Sequence, residues 1–258
     1  MYRLLNINRT GLRAIETKVD SLADNLSNIE TYGYKAKDVT FQELLTNQVH
    51  NNDVLLSGNV NHSRINAGSK SSLTGINFQQ GNITPSTGDF HLAIEGDGFF
   101  GVYDRDGNLM LTRNGGFHIN ADKTITDDNG NPLSMELYVP FDQWEVSQVK
   151  ISNNGLITTN INGEPIELGR VILYRPEVLD SLTPLGEGRY MPAANLPLYN
   201  SLESDNFGQI IQHALEASNV ELAKSMTELI IAQRAYSFNA KSLENTDEIM
   251  SLINNIKR

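Results

Sequence analysis

From Leu12 the apolar positions run Leu12, Ile15, Val19, Leu22, Leu26 and Ile29, spaced 3, 4, 3, 4 and 3. Residues three and four apart share one face of a helix, so this is a heptad-type seam, the pattern of a helix packed along another. The seam closes near Asn28, and Thr31-Tyr32-Gly33-Tyr34 follows with a glycine suited to ending a helix. The C-terminal end repeats the pattern with Leu222, Met226, Leu229, Gln233, Tyr236, Ala240, Leu243, Asp247 and Met250, alternating by 4 and 3. Ser218-Asn219-Val220-Glu221 ahead of it reads as a capping box, Ser218 accepting from the Glu221 amide and Glu221 reaching back. Neither Pro nor Gly interrupts residues 209–258, which predicts one long helix. Gln233 and Asp247 interrupt the apolar seam, and polar residues at such places set register and partner choice.

Between the two helices the pattern changes. Asp97-Gly98, Asp106-Gly107, Asn114-Gly115, Asn129-Gly130, Asn154-Gly155 and Asn162-Gly163 supply hairpin turns between short apolar runs. The intervening segments His91–Ile94, Phe99–Tyr103, Leu109–Thr112, Phe117–Ile119, Val149–Ile151, Leu156–Thr159 and Arg170–Tyr174 suit strands of an antiparallel domain. Gln48–Ser72, rich in Asn, Ser and Gly, reads as an extended linker, and Thr183–Gly208 as a second loop-rich stretch. The expected fold is α+β. Long N- and C-terminal helices (1–40 and 209–258) form a discontinuous coiled-coil-like domain, joined through a linker over 41–80 to an inserted, mainly antiparallel β domain over 81–208. The seams can pair within one chain as a helical hairpin, or between the subunits of a polymer, and the pattern leaves both open.

Composition narrows the chemistry. The 258 residues carry 31 acidic against 20 basic side chains, a formal charge of −11, and no clustered Lys or Arg to meet a phosphate backbone; no nucleic-acid partner is expected. The absence of cysteine excludes disulfide scaffolds, thiolate zinc sites and cysteine nucleophiles. Met1-Tyr2-Arg3 opens a polar segment without the apolar stretch of a cleavable signal. The longest apolar runs, Val171–Tyr174 and Leu229–Ala232, are about four residues against the roughly 20 that span a bilayer.

Two apparent ligand motifs fail on context. Gly96-Asp97-Gly98-Phe99-Phe100-Gly101 matches the dinucleotide string G-x-G-x-x-G, but the turn at Asp106-Gly107 leaves no room for the helix that would receive a phosphate. Asp104–Asn108 and Asp127–Asn131 resemble calcium loops, yet the sixth positions are Leu109 and Pro132 where Gly is required. The five histidines are scattered, with no H-E-x-x-H, nucleophile elbow or Walker loop. No catalytic residue, metal site, cofactor or small-molecule substrate is expected.

Three segments at fixed places carry more. Ala23-Asp24-Asn25-Leu26-Ser27-Asn28-Ile29-Glu30-Thr31-Tyr32-Gly33-Tyr34-Lys35 stands near the start, followed by Phe41. Gly96-Asp97-Gly98-Phe99-Phe100 and then Leu111-Thr112-Arg113-Asn114-Gly115-Gly116-Phe117 lie in the middle. Leu215-Glu216-Ala217-Ser218-Asn219-Val220 and Gln233-Arg234-Ala235-Tyr236-Ser237-Phe238-Asn239 come near the end. In this order, and over nearly the whole chain, they resemble the bacterial flagellar rod and hook family of axial proteins. Asp24 stands where Asn is usual in that family, Ser27 where Ala is usual, and Leu111 where an aromatic often precedes Thr-Arg.

The resemblance implies a structural subunit rather than an enzyme. It implies export through the flagellar type III apparatus without a cleaved signal, and helical self-polymerisation in the basal body beside other rod and hook proteins. The terminal helices would line an inner tube and order on assembly, with the β domain outside. Length and the polar stretch after the first motif look most like the distal rod protein. A proximal rod paralogue is the alternative within the family, and a secreted β-rich adhesin the alternative outside it. Candidate subunit-contact positions are Leu12, Ile15, Val19, Leu22 and Leu26 on the first seam and Leu222, Met226, Leu229 and Leu243 on the second. Gln233, Arg234, Tyr236 and Asn239 read either as plain helix surface or as interface hydrogen-bonding groups. Asn25, Asn28, Thr31 and Gly33 read as helix-ending residues, with contact to a neighbouring subunit as a further role. Of the other motif positions (Gly96, Gly98, Phe99, Phe100, Thr112, Arg113, Phe117, Ser218 and Asn219), the phenylalanines are expected in the β core. Arg113 could pair with a carboxylate of its own domain.

Overall fold

The computed structural model describes residues 2–43, 47–48, 64–65, 69–140, 144, 149–161, 164–203 and 206–256. The chain divides into two compact units. A helical unit comprises Met1–Ser27, Lys37–Ile76 and Glu221–Arg258, and a β unit comprises Asn28–Ala36 and Asn77–Val220.

In the helical unit, α1 (Tyr2–Ser27) packs along α2 (Leu222–Ile256). Asn8 Nδ2 donates to Ser242 Oγ at 3.4 Å, and Lys18 Nζ lies 3.5 Å from Glu228 Oε2. Advancing along α1 therefore means retreating along α2, and the pair is antiparallel within one chain. Strand Lys37–Glu43 pairs antiparallel with Ser69–Ile76, with a bulge between Asp38 and Val39. The end of α1 is fixed to that ribbon by Asn25, whose carboxamide both accepts from the Lys37 amide and donates to the Lys37 carbonyl, each at 2.8 Å. One side chain thus satisfies both polar groups of one peptide residue, which neither Asp nor Ser could do.

Four readings differ from the sequence pattern. Thr183–Gly208, read as a loop-rich stretch, carries the strands Thr183–Gly186, Arg189–Met191 and Leu198–Asn200. Ser69–Ile76, read as the end of a linker, is a strand, while residues 49–63 and 66–68 of that linker lie outside the described residues. The C-terminal helix begins at Leu222, because Gln209–Gln212 pairs with Leu92–Glu95 and Ala214–Glu216 with Ile83–Pro85. The capping box does not form as expected: Ser218 Oγ accepts from the Val220 amide at 3.3 Å, and the first helical turn closes by Ser225 donating to the Glu221 carbonyl. Nothing within 209–220 breaks a helix locally. Strand partners for its backbone and a core for Ile210, Ala214 and Leu215 outweigh the helical preference.

The β unit is built from a six-stranded sheet, a four-stranded sheet and three two-stranded pairings, and every described pairing is antiparallel. The six-stranded sheet runs Thr183–Gly186, Arg189–Met191, Leu109–Thr112, Phe99–Tyr103, Leu173–Pro176 and Leu198–Asn200 in spatial order. The four-stranded sheet runs Met135–Leu137, Glu164–Val171, Leu156–Ile161 and Val149–Ile151. One core joins them, formed by Leu92, Ile94, Phe100, Val102, Phe117, Ile157, Leu168, Val171 and Ile210 among others. The two phenylalanine rings meet edge to face at 5.2 Å, a preferred geometry for their quadrupoles. The hairpin turns supply positive φ at Gly107, Gly130 and Gly155, as the Asx-Gly pairs predict; Asn162-Gly163 lies outside the described residues.

Candidate subunit interface and the buried meeting point of the motifs

The three motif segments meet inside the β unit at one carboxylate. Glu216 lies on a strand at 1% exposure and is wholly surrounded. Its Oε1 accepts from Lys35 Nζ at 2.6 Å and from the Gly81 amide at 2.8 Å, and its Oε2 accepts from Arg113 Nη1 at 3.2 Å. Two cations against one carboxylate leave an excess positive charge. Backbone carbonyls meet it: Gln79 accepts from Lys35 at 2.7 Å, and Gly96 from Arg113 Nη2 at 2.8 Å. The Gly33 amide donates to the Glu216 carbonyl at 2.7 Å. Residues from the N-terminal motif, the G-x-G-F-F motif, the Thr-Arg motif and the Glu-Ala-Ser-Asn motif are therefore bonded to one another, with Arg113 Nε buried beside them without a hydrogen-bond partner among the described residues.

Burial acts on the titration of these groups. The Lys35 ammonium is pushed below the usual lysine range chiefly by loss of solvent; Glu216 opposes that shift, and the Arg113 charge adds to it. Tyr190 is pushed well above the usual phenol range, mainly by burial, with Tyr34 and the Glu216 charge adding to the effect. Its ring, Phe99 and Phe78 form a mutually edge-on cluster, and the Arg113 guanidinium stacks 5.2 Å from the Phe99 centroid. None of these groups carries out chemistry here; each is committed to holding another.

The glycines of the motifs are explained by the same packing. Gly33 adopts φ +69°, and a Cβ there would lie 2.2 Å from the Asn114 amide nitrogen, so the chain can pass only as glycine. Gly96 and Gly98 take φ of +107° and +135° at the turn into Phe99–Tyr103. That strand occupies the place where a dinucleotide fold would need a helix. Asn28 and Thr31 form the turn after α1: the Thr31 amide donates to the Asn28 carbonyl and its hydroxyl to Asn28 Oδ1. Thr112 Oγ1 donates to the Gly188 carbonyl and accepts from the Asn114 amide, both at 3.0 Å. Asn219 accepts from the Ala36 amide and donates to the carbonyls of Asn77 and Gln79.

The helices are organised otherwise. Among the described residues of α2, Ser225, Glu228, Ala232, Ala235, Asn239, Ser242 and Thr246 form a covered row of mostly small or polar residues spaced 3 and 4, flanked by the half-buried Leu229, Ala240, Leu243 and Met250. The seam read from the larger residues lies one step round the helix. Its Leu222, Met226, Gln233 and Tyr236 are exposed, while Leu229, Ala240 and Leu243 are half-buried. Arg234 is exposed, and Asn239 is half-buried with its Nδ2 on the Ala235 carbonyl. Further round stand Ile231 at 60% exposure, Phe238 at 75% and Leu252 at 62%. On α1, Leu22 is buried and Leu12, Ile15, Val19 and Leu26 are half-buried, while Ala14, Ser21 and Asn25 are the other buried positions. Short side chains at the shared face let the helices approach closely, and of the larger apolar groups of α2, Leu222, Met226, Ile231, Phe238 and Leu252 stay exposed.

Comparison with known proteins fits this division. The model described as the flagellar hook protein FlgE/F/G D1 domain matches residues 93–159, and that described as the flagellar basal body rod FlgEFG protein C-terminal matches residues 211–256. The flagellar basal-body rod protein FlgG of Borreliella burgdorferi is 30% identical across the whole of both chains. The FlgG of Agrobacterium fabrum is 30% identical over 97% of this chain and 98% of its own, and that of Bacillus subtilis 29% over the whole of both. The chain belongs to the flagellar basal-body rod protein family. It is a structural protein of the bacterial flagellar basal body, not an enzyme.

As a rod-family chain it uses its motif residues mostly as internal fasteners. Gly96, Arg113 and Gly33 are brought to Glu216, while Gln233, Arg234 and Tyr236 remain on the helix surface. Lys35 and Glu216 hold the meeting point, although the motif reading does not single them out among its candidates. Their signal was a charge inside an otherwise apolar or glycine-rich motif: Tyr34-Lys35-Ala36 and Leu215-Glu216-Ala217. Complementary charges with so little polar company point to each other once a common core is assumed.

Proposed function

We propose that this chain is a structural subunit of the distal rod, polymerising helically into the hollow shaft that carries torque to the hook. Its two terminal segments act as one discontinuous, coiled-coil-like polymerisation domain, and the β-rich part stands outside. Its partners are further copies of itself and the neighbouring rod and hook proteins. It reaches the rod through the flagellar export apparatus without a cleaved signal.

The observation that carries this reading is α2. Unlike the markedly amphipathic α1, it has apolar residues on several sides and only one side covered. A helix apolar all round is stable in water only when something else covers it. In an open helical array, heterologous contacts from adjacent subunits supply that cover without closing the assembly. The test is a chain ending at Val220 beside the full chain, each followed by electron microscopy under conditions in which the full chain assembles. The shortened chain is expected to form no filaments while its sheet circular-dichroism signal persists. Filaments built by the shortened chain would sink the reading.

A further inference from the structure

The β unit has four covalent connections to the rest of the chain, before Asn28, after Ala36, before Asn77 and after Val220. Four connections of this kind could act as separate tethers. Here the ends of three of them within the β unit, at Ala36, Asn77 and Val220, are tied to one another by a single side chain.

The Asn77 amide donates to the Ala36 carbonyl at 2.8 Å, one of the two bonds by which facing residues of an antiparallel pair exchange N–H and C=O. The reciprocal bond is relayed. Ala36 donates its amide hydrogen to Asn219 Oδ1 at 2.8 Å, and Asn219 Nδ2 donates to the Asn77 carbonyl at 2.7 Å. A carboxamide carries the same donor and acceptor as a peptide group, so the Asn219 side chain takes the place of an inserted peptide unit. The second hydrogen on Nδ2 meets the Gln79 carbonyl at 2.9 Å, which also accepts from Lys35, the partner of Glu216. The Asn219 amide in turn donates to the Tyr34 carbonyl at 3.4 Å.

We infer that Asn219 is a positioning residue that clamps three of the four chain connections of the β unit, those at Ala36, Asn77 and Val220, into one joint. Asparagine alone has the required size and polarity: Asp has no donor for the two carbonyls, Gln sets its amide one methylene farther out, and Ser lacks the reach. Under the rod reading, on which only this consequence rests, load entering along any one of these three is shared with the other two.

Residue-resolved amide exchange on the full-length chain tests the clamp through two variants. In Asn219→Ala, exchange at Ala36, whose amide loses its acceptor, is expected to rise about tenfold or more, the scale of one lost hydrogen bond. The Asn77 amide keeps its own bond to the Ala36 carbonyl and is expected to quicken because that pairing opens more often without the clamp, while Ile157 and Leu168 in the core keep their rates. In Asn219→Asp, the acceptor for Ala36 survives, but a carboxylate faces the Asn77 and Gln79 carbonyls without a donor. Ala36 is then expected to stay slow, while the Asn77 amide, which reports opening of its bond to the Ala36 carbonyl, quickens. Unchanged exchange at Asn77 in both variants overturns the clamp. So does an equal rise throughout the β unit, which would make Asn219 an ordinary contributor to stability. Exchange is measured on the isolated chain, so a failure of filament formation would count against the rod reading and leave this result untouched.

Discussion

The two units place their apolar and polar side chains in opposite ways. The β unit turns its large apolar side chains inward, and even its buried charges are matched, Glu216 by Lys35 and Arg113 and those two by backbone carbonyls. The helical unit places Ala14, Ser21, Asn25, Ala232 and Ser242 among its covered positions and leaves Ile231, Phe238 and Leu252 largely exposed. Apolar area removed from water stabilises by about 25 cal/mol per Å², so the β unit gains most of its hydrophobic term on folding. The helical unit leaves much of its own in water in the single chain.

The sharpest way to break that contrast is at Glu216. Replacing it by Ala strands two buried cations, and breaking a buried ion pair from one side costs about 3–5 kcal/mol. Denaturant unfolding of Glu216→Ala is expected to show a loss of that size in the β transition. A loss below about 1 kcal/mol, the scale of an exposed pair, would mean that the cluster is effectively solvated.

Gly33→Ala is expected to come next. The left-handed backbone alone costs a non-glycine residue roughly 1–2 kcal/mol, and the new Cβ would also collide with the Asn114 backbone. Thermal unfolding should show a lowered midpoint for the β unit. An unchanged midpoint would show that the turn after α1 can yield, and that Gly33 does not serve the meeting of the motifs.

The smallest expected change in the isolated chain lies on the other side of the comparison. Phe238→Ser removes a side chain that is 75% exposed, and surface substitutions of this kind usually shift stability by no more than about 0.5 kcal/mol. Assembly should suffer instead, read as a rise in the concentration at which light scattering first reports polymer. A marked loss of monomer stability with unaltered assembly would reverse the roles assigned to the two faces of α2.

Much of this was legible from local pattern. The heptad spacing of Leu12–Leu26 and Leu222–Leu243 marks two helices, and the Asx-Gly turns locate most of the strands. Phe99, Phe100 and Phe117 fall in the core where their runs predict. The helix-breaking value of Gly33 is visible because φ > 0 is a property of single residues. Residues 209–216 misled because a run without Pro or Gly is equally compatible with helix, and only the strands Leu92–Glu95 and Ile83–Pro85 decide otherwise.

The sequence by itself determined the two terminal helices, most of the hairpin turns and the family, since each is written in the spacing or order of neighbouring residues. Tertiary structure alone decided that Lys35, Arg113 and Glu216 share one buried cluster although Glu216 is separated from its partners by 181 and 103 positions. It alone decided that the covered side of α2 is a row of small residues with Leu229 and Leu243 at its edge, while Leu222 and Met226 stay exposed. A helix repeats every 3.6 residues, so adjacent heptad rows look alike in one dimension. Which row is covered depends on how closely two backbones can approach, and that is settled only when both helices are present.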